Sequence, residues 1–238
     1  MSASRGIAAF FDIDGTLLPS PSLEMRFASW LYAREFVTSW QIATWTAVSL
    51  ASLLTGEAAA FKASKTYLTA LPTFLVQRWE ASLGAGALGT YPQAAERIAW
   101  HLDQNHRVFL VSGTLAPLAD VFARRLGVAV GLHATSLEEI NGHFTGLISG
   151  IRISGTEKTN ALEQRANEYG ISLADSYAYG NHFDDLPMLR SVGNPVAVNP
   201  TFRLRHAARR QRWPIASWNT FRSASTTPEN ALLPEESR

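Results

Sequence analysis

The sequence predicts an α/β fold in which a block of helices is inserted into a mostly parallel sheet. Beyond Tyr91, short apolar runs alternate with helical segments, and this alternation is typical of parallel strands joined by crossover helices. Residues 22–88 differ in composition and in pattern. They are rich in Ala, Leu and Trp, have helical character and show no strand-like alternation. One apolar run, at residues 8–13, precedes this block. The helices therefore interrupt the α/β pattern just after its first strand.

The individual elements follow from local patterns. Residues 8–13 form an uninterrupted apolar run with aromatic content, as expected of a central strand buried on both faces. Residues 107–113 predict a second strand that ends in a small-residue turn, and residues 115–127 predict an amphipathic helix that ends on a glycine. Asn141 and Gly142 stand between two alternating segments, which is a strong hairpin signal. The remaining expected elements are a helix at 157–169, a strand ending at Gly180 and a strand at 195–199.

Charge and cysteine content limit the classes of protein. The 238 residues carry a formal net charge of +1, whereas proteins that bind the phosphate backbone of nucleic acids concentrate an excess of Lys and Arg. We interpret the one basic cluster, residues 203–212, as a solvated helix face rather than a nucleic-acid surface. The absence of cysteine excludes disulfides and thiolate metal sites. Because the start also lacks the pattern of a secretory signal, we expect a cytoplasmic protein.

Residues 36–56 require a membrane test because they contain no charged residue over 21 positions. That length is close to the roughly 20 residues of a membrane-spanning helix. However, Thr38, Gln41, Ser49 and Ser52 fall on one face of a helix. We therefore favour a buried or partly amphipathic helix, and contact with a membrane surface is the alternative.

Two carboxylates follow the first predicted strand, in the segment FFDIDGT. The carboxyl ends of parallel strands form the edge where ligands bind, and Asp12 and Asp14 are expected there, with the side chain of Ile13 pointing the other way. Two adjacent carboxylates repel each other unless a cation or a proton compensates, so the pair predicts a hard metal ion such as Mg²⁺. A carboxylate can also attack phosphorus while its neighbour exchanges protons. A structural Asp-Gly turn is the alternative.

Polar residues recur after the later strands. Ser112 and Gly113 stand where the second strand stops. There a hydroxyl and adjacent backbone N–H groups can cradle an oxyanion, although an ordinary Ser-Gly turn has the same sequence. Lys158 stands at the start of a helix, where a cation opposes the helix dipole, so a structural purpose is not evident. A solvated surface position is the alternative for this lysine. Asn181 and Asp185 follow a further strand.

The order of these segments, FDIDGTL, LVSGT, Lys158 and YGNHFDDLPML, resembles the haloacid dehalogenase-like superfamily of phosphatases. It is similar in particular to the phosphoserine phosphatase-like branch, in which a helical cap follows the first motif. The resemblance extends over about residues 7–213. It implies a Rossmann-like parallel core at residues 1–20 and 90–218, and an all-helical cap at residues 21–89. The polar, Pro/Ser-rich residues 219–238 are expected to be a disordered tail.

The resemblance also implies roles for the residues of the first three motifs. Asp12 matches the nucleophile that accepts the phosphoryl group as an aspartyl-phosphate, and Asp14 matches the general acid and base. Ser112 matches the hydroxyl that binds phosphate, with Gly113 contributing its backbone N–H. Lys158 matches the lysine that neutralises negative charge on the nucleophile and on the phosphoryl oxygens.

The same resemblance implies a magnesium site. Its ligands are Asp12, the carbonyl of Asp14, and Asn181 and Asp185 of the last motif. The usual last motif is Gly-Asp-x-x-x-Asp, so Asn181 places an amide where the family has a metal-binding acid. An amide oxygen ligates Mg²⁺ without a full charge, and we expect weaker metal binding. Asp184 is an extra acid nearby that is a candidate to restore the missing charge.

The cap decides which substrate enters such a site. In phosphoserine phosphatases a glutamate shortly after the first motif recognises the amino group of the substrate, whereas the matching position here is Pro21. Glu24 is nearby but out of register, so we do not expect phosphoserine as the substrate. Arg26 and Lys65 are cap cations that we single out as substrate-binding candidates, with a solvated helix face as the alternative for each.

The sequence thus predicts an Mg²⁺-dependent phosphomonoester hydrolase that acts on a small organic phosphate through an aspartyl-phosphate. Asn181 motivates the first alternative, an attenuated phosphate-binding protein of the same fold with weak or no activity. The uncharged residues 36–56 motivate the second, a membrane-surface module. A dehalogenase fits less well, because Asp14, the SGT segment and Lys158 together suit phosphoryl chemistry.

Overall fold

A parallel sheet forms the centre of the molecule. The computed structural model describes residues 5–43, 45, 65–127 and 130–219. Its strands are β1 (Ala8–Phe11), β2 (Arg107–Leu115), β3 (Gly131–Thr135), β4 (Leu137–Ile140), β5 (His143–Ile148), β6 (Tyr177–Gly180), β7 (Asn194–Val198) and β8 (Ile215–Ala216). Six of them form one sheet in the order β3-β2-β1-β6-β7-β8, with all neighbours parallel. The strand order reverses at β1 and β6, as in doubly wound folds, which confirms the predicted Rossmann-like α/β class.

Helices cover both faces of this sheet. They are α1 (Leu23–Ala33), α2 (Leu75–Ser82), α3 (Pro92–Asp103), α4 (Ala116–Arg125), α5 (Thr156–Tyr169), α6 (Leu186–Arg190) and α7 (Phe202–Gln211). Ala9 and Phe11 of β1 share a core with α1, α3 and α4, while Ala8 and Phe10 share the opposite core with α5, α6 and α7. All four residues of β1 are buried, as expected of a central strand between two helical layers.

The segment between β1 and α3 leaves the sheet and forms the inserted cap. Its described part contains α1, helical residues 39–43, a 3₁₀ turn at Thr66–Leu68, and α2, which confirms the helical insertion. The residues between the 3₁₀ turn and α2 are not helical. There, the Ala70 N–H donates to the Phe144 carbonyl of β5, and the Thr73 N–H donates to the Gly142 carbonyl, both at 2.9 Å. A hairpin from the core part of the chain therefore extends the cap.

That hairpin forms where the sequence predicts it. Ile140 of β4 pairs with His143 of β5 across the Asn141-Gly142 turn. The two turn residues have φ values of 50° and 74°. A two-residue turn of this kind needs positive φ at both positions, and Asn and Gly adopt it at little cost.

Several boundaries differ from the sequence prediction. β1 ends at Phe11 rather than at residue 13, because the chain begins to turn after Asp12. β2 continues to Leu115, so the SGT segment lies inside the strand and not in the turn after it. The edge strands β3 and β8 are missing from the prediction, because partly exposed edge strands do not present an uninterrupted apolar run. The division of core and cap at residues 20 and 90 stays a prediction.

The membrane test falls mostly on residues that the structure does not describe. Residues 36–56 include only 36–43 and 45 of the described positions, so the expected helix lies largely outside them. Among the helices that are described, none is long and apolar enough to cross a membrane. The tail expected at residues 219–238 also lies outside the described residues, apart from its first position.

The basic cluster at residues 203–212 forms most of α7. The buried residues of this helix are Leu204 and Ala208, and its arginines are exposed. The predicted solvated helix face is therefore what the structure shows.

Candidate active site

The first motif leaves the sheet at its carboxyl edge. The Asp12 N–H donates to the Tyr179 carbonyl of β6 at 3.0 Å, and three successive N–H groups of the following turn donate to the Ile13 carbonyl. Gly15 within this turn has a φ of 83°, a left-handed conformation that glycine adopts without strain. The turn buries Asp12 and leaves Asp14 partly open at the same edge.

Asp12, Lys158 and Asp185 form a buried ion cluster at this edge. Lys158 Nζ lies 2.7 Å from Asp12 Oδ1 and 2.6 Å from Asp185 Oδ1. The three side chains are 4%, 8% and 2% exposed for Lys158, Asp12 and Asp185, so the lysine is not a solvated surface residue. The hydroxyl of Thr16 donates to the second oxygen, Asp12 Oδ2, at 3.2 Å. One ammonium thus faces two carboxylates away from water.

The electrostatics of this cluster follow from burial and from the imbalance of charge. Burial raises the pKa of Asp12, the Lys158 ammonium opposes this rise, and the Asp185 carboxylate adds to it. Burial alone lowers the pKa of Lys158, but the two carboxylates outweigh it and hold that pKa above its ordinary value. Lys158 therefore stays charged. The pKa of Asp12 is still raised, to about 7, because burial outweighs the ammonium, and the ion pair with Lys158 opposes this rise in favour of the anionic form that a nucleophilic carboxylate needs.

Asp14 has a different environment, made partly by the cap. Its Oδ1 accepts the N–H of Leu23, the first residue of α1, at 2.8 Å, and its Oδ2 accepts from the hydroxyl of Thr114. Burial raises the pKa of Asp14, and these two hydrogen bonds oppose the rise. An acid that holds its proton more tightly than usual is suited to proton donation. The sequence gives no indication of the Leu23 contact, since an N–H donor has no residue signature.

Ser112 and Gly113 lie at the end of β2, beside these acids. Ser112 is 1% exposed, its Oγ accepts the Thr114 N–H at 3.2 Å, and its hydroxyl donates to Thr114 Oγ1 at 3.1 Å. The pairing of β2 with β3 shifts register between Ser112 and Leu115, which marks an irregular strand end. The residues of the expected cradle therefore lie in a distorted strand end, and the helix α4 begins only after it.

The last motif touches the first one. Asp185 Oδ2 accepts the backbone N–H groups of Asn181 and His182 at 2.9 and 2.8 Å, which fixes this carboxylate while its other oxygen binds Lys158. The Asn181 side chain packs against Gly15, where an added Cβ would stand 2.0 Å from Asn181 Nδ2. Asn181 and Asp185 are thus brought to the Asp12 edge, as the sequence predicts.

His182 and Asp184 lie at the rim of this motif. The His182 ring accepts the Asp184 N–H at 3.3 Å and caps the short 3₁₀ helix Phe183–Asp185, so it has a turn function. The Asp184 carboxylate is 40% exposed and lies 3.6 Å from His182 Nδ1. The suggestion that Asp184 restores charge at a metal stays a prediction.

The donor atoms at this edge are of the type that magnesium prefers. Asp12, Asp185 and the Asn181 amide offer hard oxygen ligands, and the negative excess of the ion cluster favours a cation. Within the described residues, however, no group of three His, Cys, Asp or Glu side chains is arranged to hold a metal. Because Asn181 stands where the family has an acid, the oxygen set fits Mg²⁺ in type and is short of one charge.

Arg26 lies at the junction between the cap and the sheet. Its guanidinium donates to the carbonyls of Pro19, Pro21 and Ala87 at 2.9, 2.7 and 3.2 Å. These carbonyls belong to the two segments that connect the cap to the core. The contacts indicate a structural role in fastening both connections, and the substrate-binding role suggested for Arg26 stays a prediction.

Lys65 is part of a buried cluster in the cap that the sequence does not predict. Lys65 Nζ lies 2.8 Å from the Glu24 carboxylate, and the Tyr67 hydroxyl donates to the same carboxylate at 3.0 Å. The Lys65 ammonium also lies 5.5 Å from the ring centre of Trp45. Glu24 is close enough to raise the pKa of Asp14, so this cluster borders the edge of the sheet that carries Asp14. Lys65 is therefore one half of an ion pair rather than an unpaired cation, and the substrate-binding role suggested for it stays a prediction.

The fold and the site together define a class of protein. It is an α/β protein with paired aspartates at the carboxyl edge of a parallel sheet, where the strand order reverses, and with an inserted cap beside them. The particular family follows from sequence comparison, because the family model for haloacid dehalogenase-like hydrolases matches residues 9–190. The chain belongs to this family.

Curated relatives are similar over most of the chain. The sequence is 33% identical over 227 residues to phosphoserine phosphatase SerB1 of Mycobacterium tuberculosis, covering 92% of this chain and 73% of the relative. It is 26% identical over 223 residues to the probable phosphatase Rv3661 of the same species, covering 89% of this chain and 75% of the relative.

Solved structures share the fold. A Bordetella pertussis protein of unknown function aligns with a TM-score of 0.73 at 24% identity, covering 92% of this chain and 100% of the other. A phospho-aspartyl intermediate analogue of phosphoserine phosphatase aligns with a TM-score of 0.60 at 20% identity, covering 90% of this chain and 94% of the other. At these identities the likeness shows the fold alone.

Proposed function

We propose that the protein is an Mg²⁺-dependent phosphomonoester hydrolase that forms an aspartyl-phosphate on Asp12. The observation that carries this proposal is the contrast between two acids one residue apart. Asp12 is paired with the Lys158 ammonium at 2.7 Å, which suits a nucleophilic carboxylate, whereas Asp14 is held by two uncharged donors, the Leu23 N–H and the Thr114 hydroxyl, which suits a group that gives and takes a proton. Relatives named as phosphatases, and the phospho-aspartyl analogue with the same fold, support it.

The reaction has two steps. First, an oxygen of the Asp12 carboxylate attacks phosphorus, the P–O bond to the leaving group breaks, and the leaving alkoxide takes the proton of Asp14. Second, a water molecule returns a proton to Asp14 and attacks phosphorus, and the bond between phosphorus and Asp12 breaks. Inorganic phosphate leaves, and both carboxyl groups are back in their starting protonation states.

The remaining site residues bind and balance the transferring group. Lys158 already neutralises Asp12 and offers its ammonium to the phosphoryl oxygens. The Ser112 hydroxyl and the Gly113 N–H stand at the strand end where an oxyanion would be held. Bound Mg²⁺, with Asp12, the Asp14 carbonyl, Asn181 and Asp185 as its proposed ligands, would supply the further positive charge that phosphoryl transfer requires.

The substrate we propose is a small organic phosphate other than phosphoserine. Pro21 offers no carboxylate to an amino group, and the carboxylate of Glu24 is already bound by Lys65 and Tyr67. The leaving group of phosphoserine is a zwitterion, with an amino group and a carboxylate that would need unpaired charges on the cap. Glu24 and Lys65 are instead paired with each other. A cytoplasmic location stays a prediction.

The test of this proposal is phosphate release from a panel of phosphomonoesters with and without Mg²⁺. We expect Mg²⁺-dependent release that falls by at least about 10³-fold in Asp12→Asn, because an amide is not a nucleophile toward phosphorus. Asp103→Asn is the matched control, since the same change is made at an exposed position at the end of α3. Full activity of folded Asp12→Asn would contradict the assignment.

Asn181 favours a second candidate function, an attenuated phosphate-binding protein with weak or no turnover. In that case Asn181→Asp adds the missing charge at the cation site, and we expect Mg²⁺ to bind roughly tenfold more tightly, with faster turnover. Titration of Mg²⁺ by calorimetry, together with turnover, measures both effects. If the wild type is already fully active and Asn181→Asp changes neither quantity, the attenuated function is wrong.

A further inference from the structure

Arg152 lies against the strand end that carries the phosphate-binding residues. A Cβ built on Gly113 would stand 3.6 Å from Arg152 Nη2 and 3.1 Å from the Ile153 carbonyl oxygen. A side chain on Gly113 would therefore be crowded on this side, because the segment that follows the hairpin packs directly on it. The guanidinium of Arg152 occupies part of the space that such a side chain would take.

The position of this segment is fixed by a buried threonine. The Thr135 hydroxyl donates to the Gly113 carbonyl at 3.0 Å and accepts the Ile153 N–H at 3.1 Å. Thr135 is fully buried at the end of β3, its hydrogen bond with Ile153 is buried, and its hydrogen bond to Gly113 is partly buried. The backbone of Arg152 is thereby attached to Gly113, and α5, which carries Lys158, begins four residues later at Thr156.

Among the described residues, Arg152 has no counterion. It is partly buried, and within the described part of the chain its side chain makes no hydrogen bond and no ion pair. Other arginines that pack on the protein behave differently. Arg26 donates to three carbonyls, and Arg124 is bound to carboxylates. A partly buried guanidinium with free donors, next to an amide of the phosphate cradle, is a ready partner for an oxyanion.

We propose that Arg152 is an additional substrate-binding residue that takes an oxyanion of the substrate beside Gly113. This inference rests on the proposed function and extends it, because it adds a cation that the four motifs do not contain. Two sources supply such an oxyanion: a non-bridging oxygen of the phosphoryl group, or a second anionic group on the leaving group. In both cases the planar fork of the guanidinium makes charge-assisted hydrogen bonds that Ser112 and Gly113 alone do not provide.

The experiment compares wild type with Arg152→Gln, Arg152→Lys and the control Arg107→Gln. Arg107 is exposed at the amino end of β2, the opposite end of the strand from Ser112, so its substitution removes the same charge far from the site. Calorimetry measures the binding of inorganic phosphate in the presence of Mg²⁺. Kinetics then compare KM for phosphoglycolate, which has a carboxylate, with KM for hydroxyethyl phosphate, which has none. Circular dichroism and melting verify that each variant is folded.

If Arg152 binds the phosphoryl group, Arg152→Gln lowers the affinity for inorganic phosphate and raises the KM for both esters, each by roughly ten- to a hundredfold. Arg152→Lys then restores part of the loss. If it binds a second anionic group, phosphate binding is unchanged and only the KM for phosphoglycolate rises by that factor. Either pattern supports the proposal when Arg107→Gln matches wild type. Equal phosphate affinity and equal KM values for both esters in folded Arg152→Gln would overturn it.

Phosphate binding does not require turnover, so the two proposals fail separately. A wild type that releases no phosphate from any ester, but binds inorganic phosphate through Arg152, would contradict the proposed hydrolase and support the arginine site. An active wild type whose Arg152→Gln variant keeps its phosphate affinity and its KM values would leave the hydrolase standing and remove the arginine site.

Discussion

Two buried polar clusters lie close together in this molecule, and they are built in opposite ways. At the carboxyl edge of the sheet, Asp12, Lys158 and Asp185 form an ion cluster in which two carboxylates share one ammonium. On the α3 face of the sheet, a second cluster contains His101 and Tyr179. His101 Nε2 lies 2.8 Å from the Tyr179 hydroxyl, and its Nδ1 lies 2.9 Å from His106 Nδ1.

The second cluster stays neutral. Burial lowers the pKa of His101 to about 3, and the neighbouring His106 and Arg97 add to the effect. The His101 ring also packs on aromatic rings of the sheet, with its centroid 5.9 Å from that of Phe11 and 5.6 Å from that of Tyr179. This cluster therefore joins α3 to the sheet, and burial of titratable groups alone does not mark a functional site. What distinguishes the catalytic edge is uncompensated charge at strand ends.

The largest effect is expected from removing the positive charge of the Asp12–Lys158–Asp185 cluster. Lys158→Met removes the ammonium and keeps an unbranched apolar side chain that is one atom shorter, leaving Asp12 and Asp185 buried without their counterion. We expect the loss of measurable turnover and a decrease of about 3–5 kcal/mol in the free energy of unfolding, as found when one partner of a buried ion pair is removed. Urea unfolding and phosphate release measure the two effects.

Lys158→Met is compared with Arg165→Met, a change on the same helix at a residue whose ion pair with Glu168 lies near the surface. That control should cost less than about 1 kcal/mol. If both variants were equally stable, the ion cluster would not be the strongly coupled unit that its burial indicates.

A smaller effect is expected in the neutral cluster. Tyr179→Phe removes the hydroxyl and leaves His101 Nε2 buried without a partner, which should cost about 1–3 kcal/mol of stability. Turnover should remain at the wild-type level, because the hydroxyl lies on the α3 face and does not touch the reacting groups. A variant that kept its stability and lost its activity would reverse the distinction between the two clusters.

The smallest effect is a dependence of stability on pH. The pKa of His101 is about 3 in the folded protein and near 6.5 in the unfolded chain, so only the unfolded chain takes up a proton as pH falls below about 6.5. Stability is therefore complete above that pH and is lost progressively toward pH 3. By pH 5 the loss from this one group should be about 1–2 kcal/mol.

The measurement is urea unfolding at pH 7.5 and at pH 5 for wild type and His101→Phe. The variant should lose less stability than wild type over this interval, because its position 101 no longer binds a proton in the unfolded chain. The same loss in both proteins would show that other groups cause the acid sensitivity.

The motifs could be predicted because they combine local patterns with distinctive residues. A buried strand, two aspartates and a glycine are adjacent in the chain, so Asp12 and Asp14 are evident from the sequence. Lys158 is only a solitary helix residue without the family resemblance, since its partners stand 146 and 27 residues away. The sequence pattern does not reveal these contacts, because contact between residues distant in the chain produces no periodicity in the sequence.

The cap contacts could not be predicted for the same reason. Glu24 and Lys65 are separated by 41 residues, and nothing in either neighbourhood indicates that they form an ion pair. The positive charge of Arg26 makes it a candidate for substrate binding, but its guanidinium donates to backbone carbonyls. Every residue has a backbone carbonyl, so the sequence cannot indicate these partners. Arg152 lies outside all four motifs and becomes visible only through its closeness to Gly113.

The hydrogen bond from the Leu23 N–H to Asp14 has a consequence for how such proteins diversify. Asp14, the proposed proton donor, is oriented by the main chain of the first residue of α1, so no particular side chain is needed at position 23. The cap sequence is free to change, and with it the substrate, while the acid keeps its orientation. Proline is the exception because it has no N–H. With Leu23→Pro, Asp14 Oδ1 would lose this hydrogen bond and would need another donor to keep its orientation.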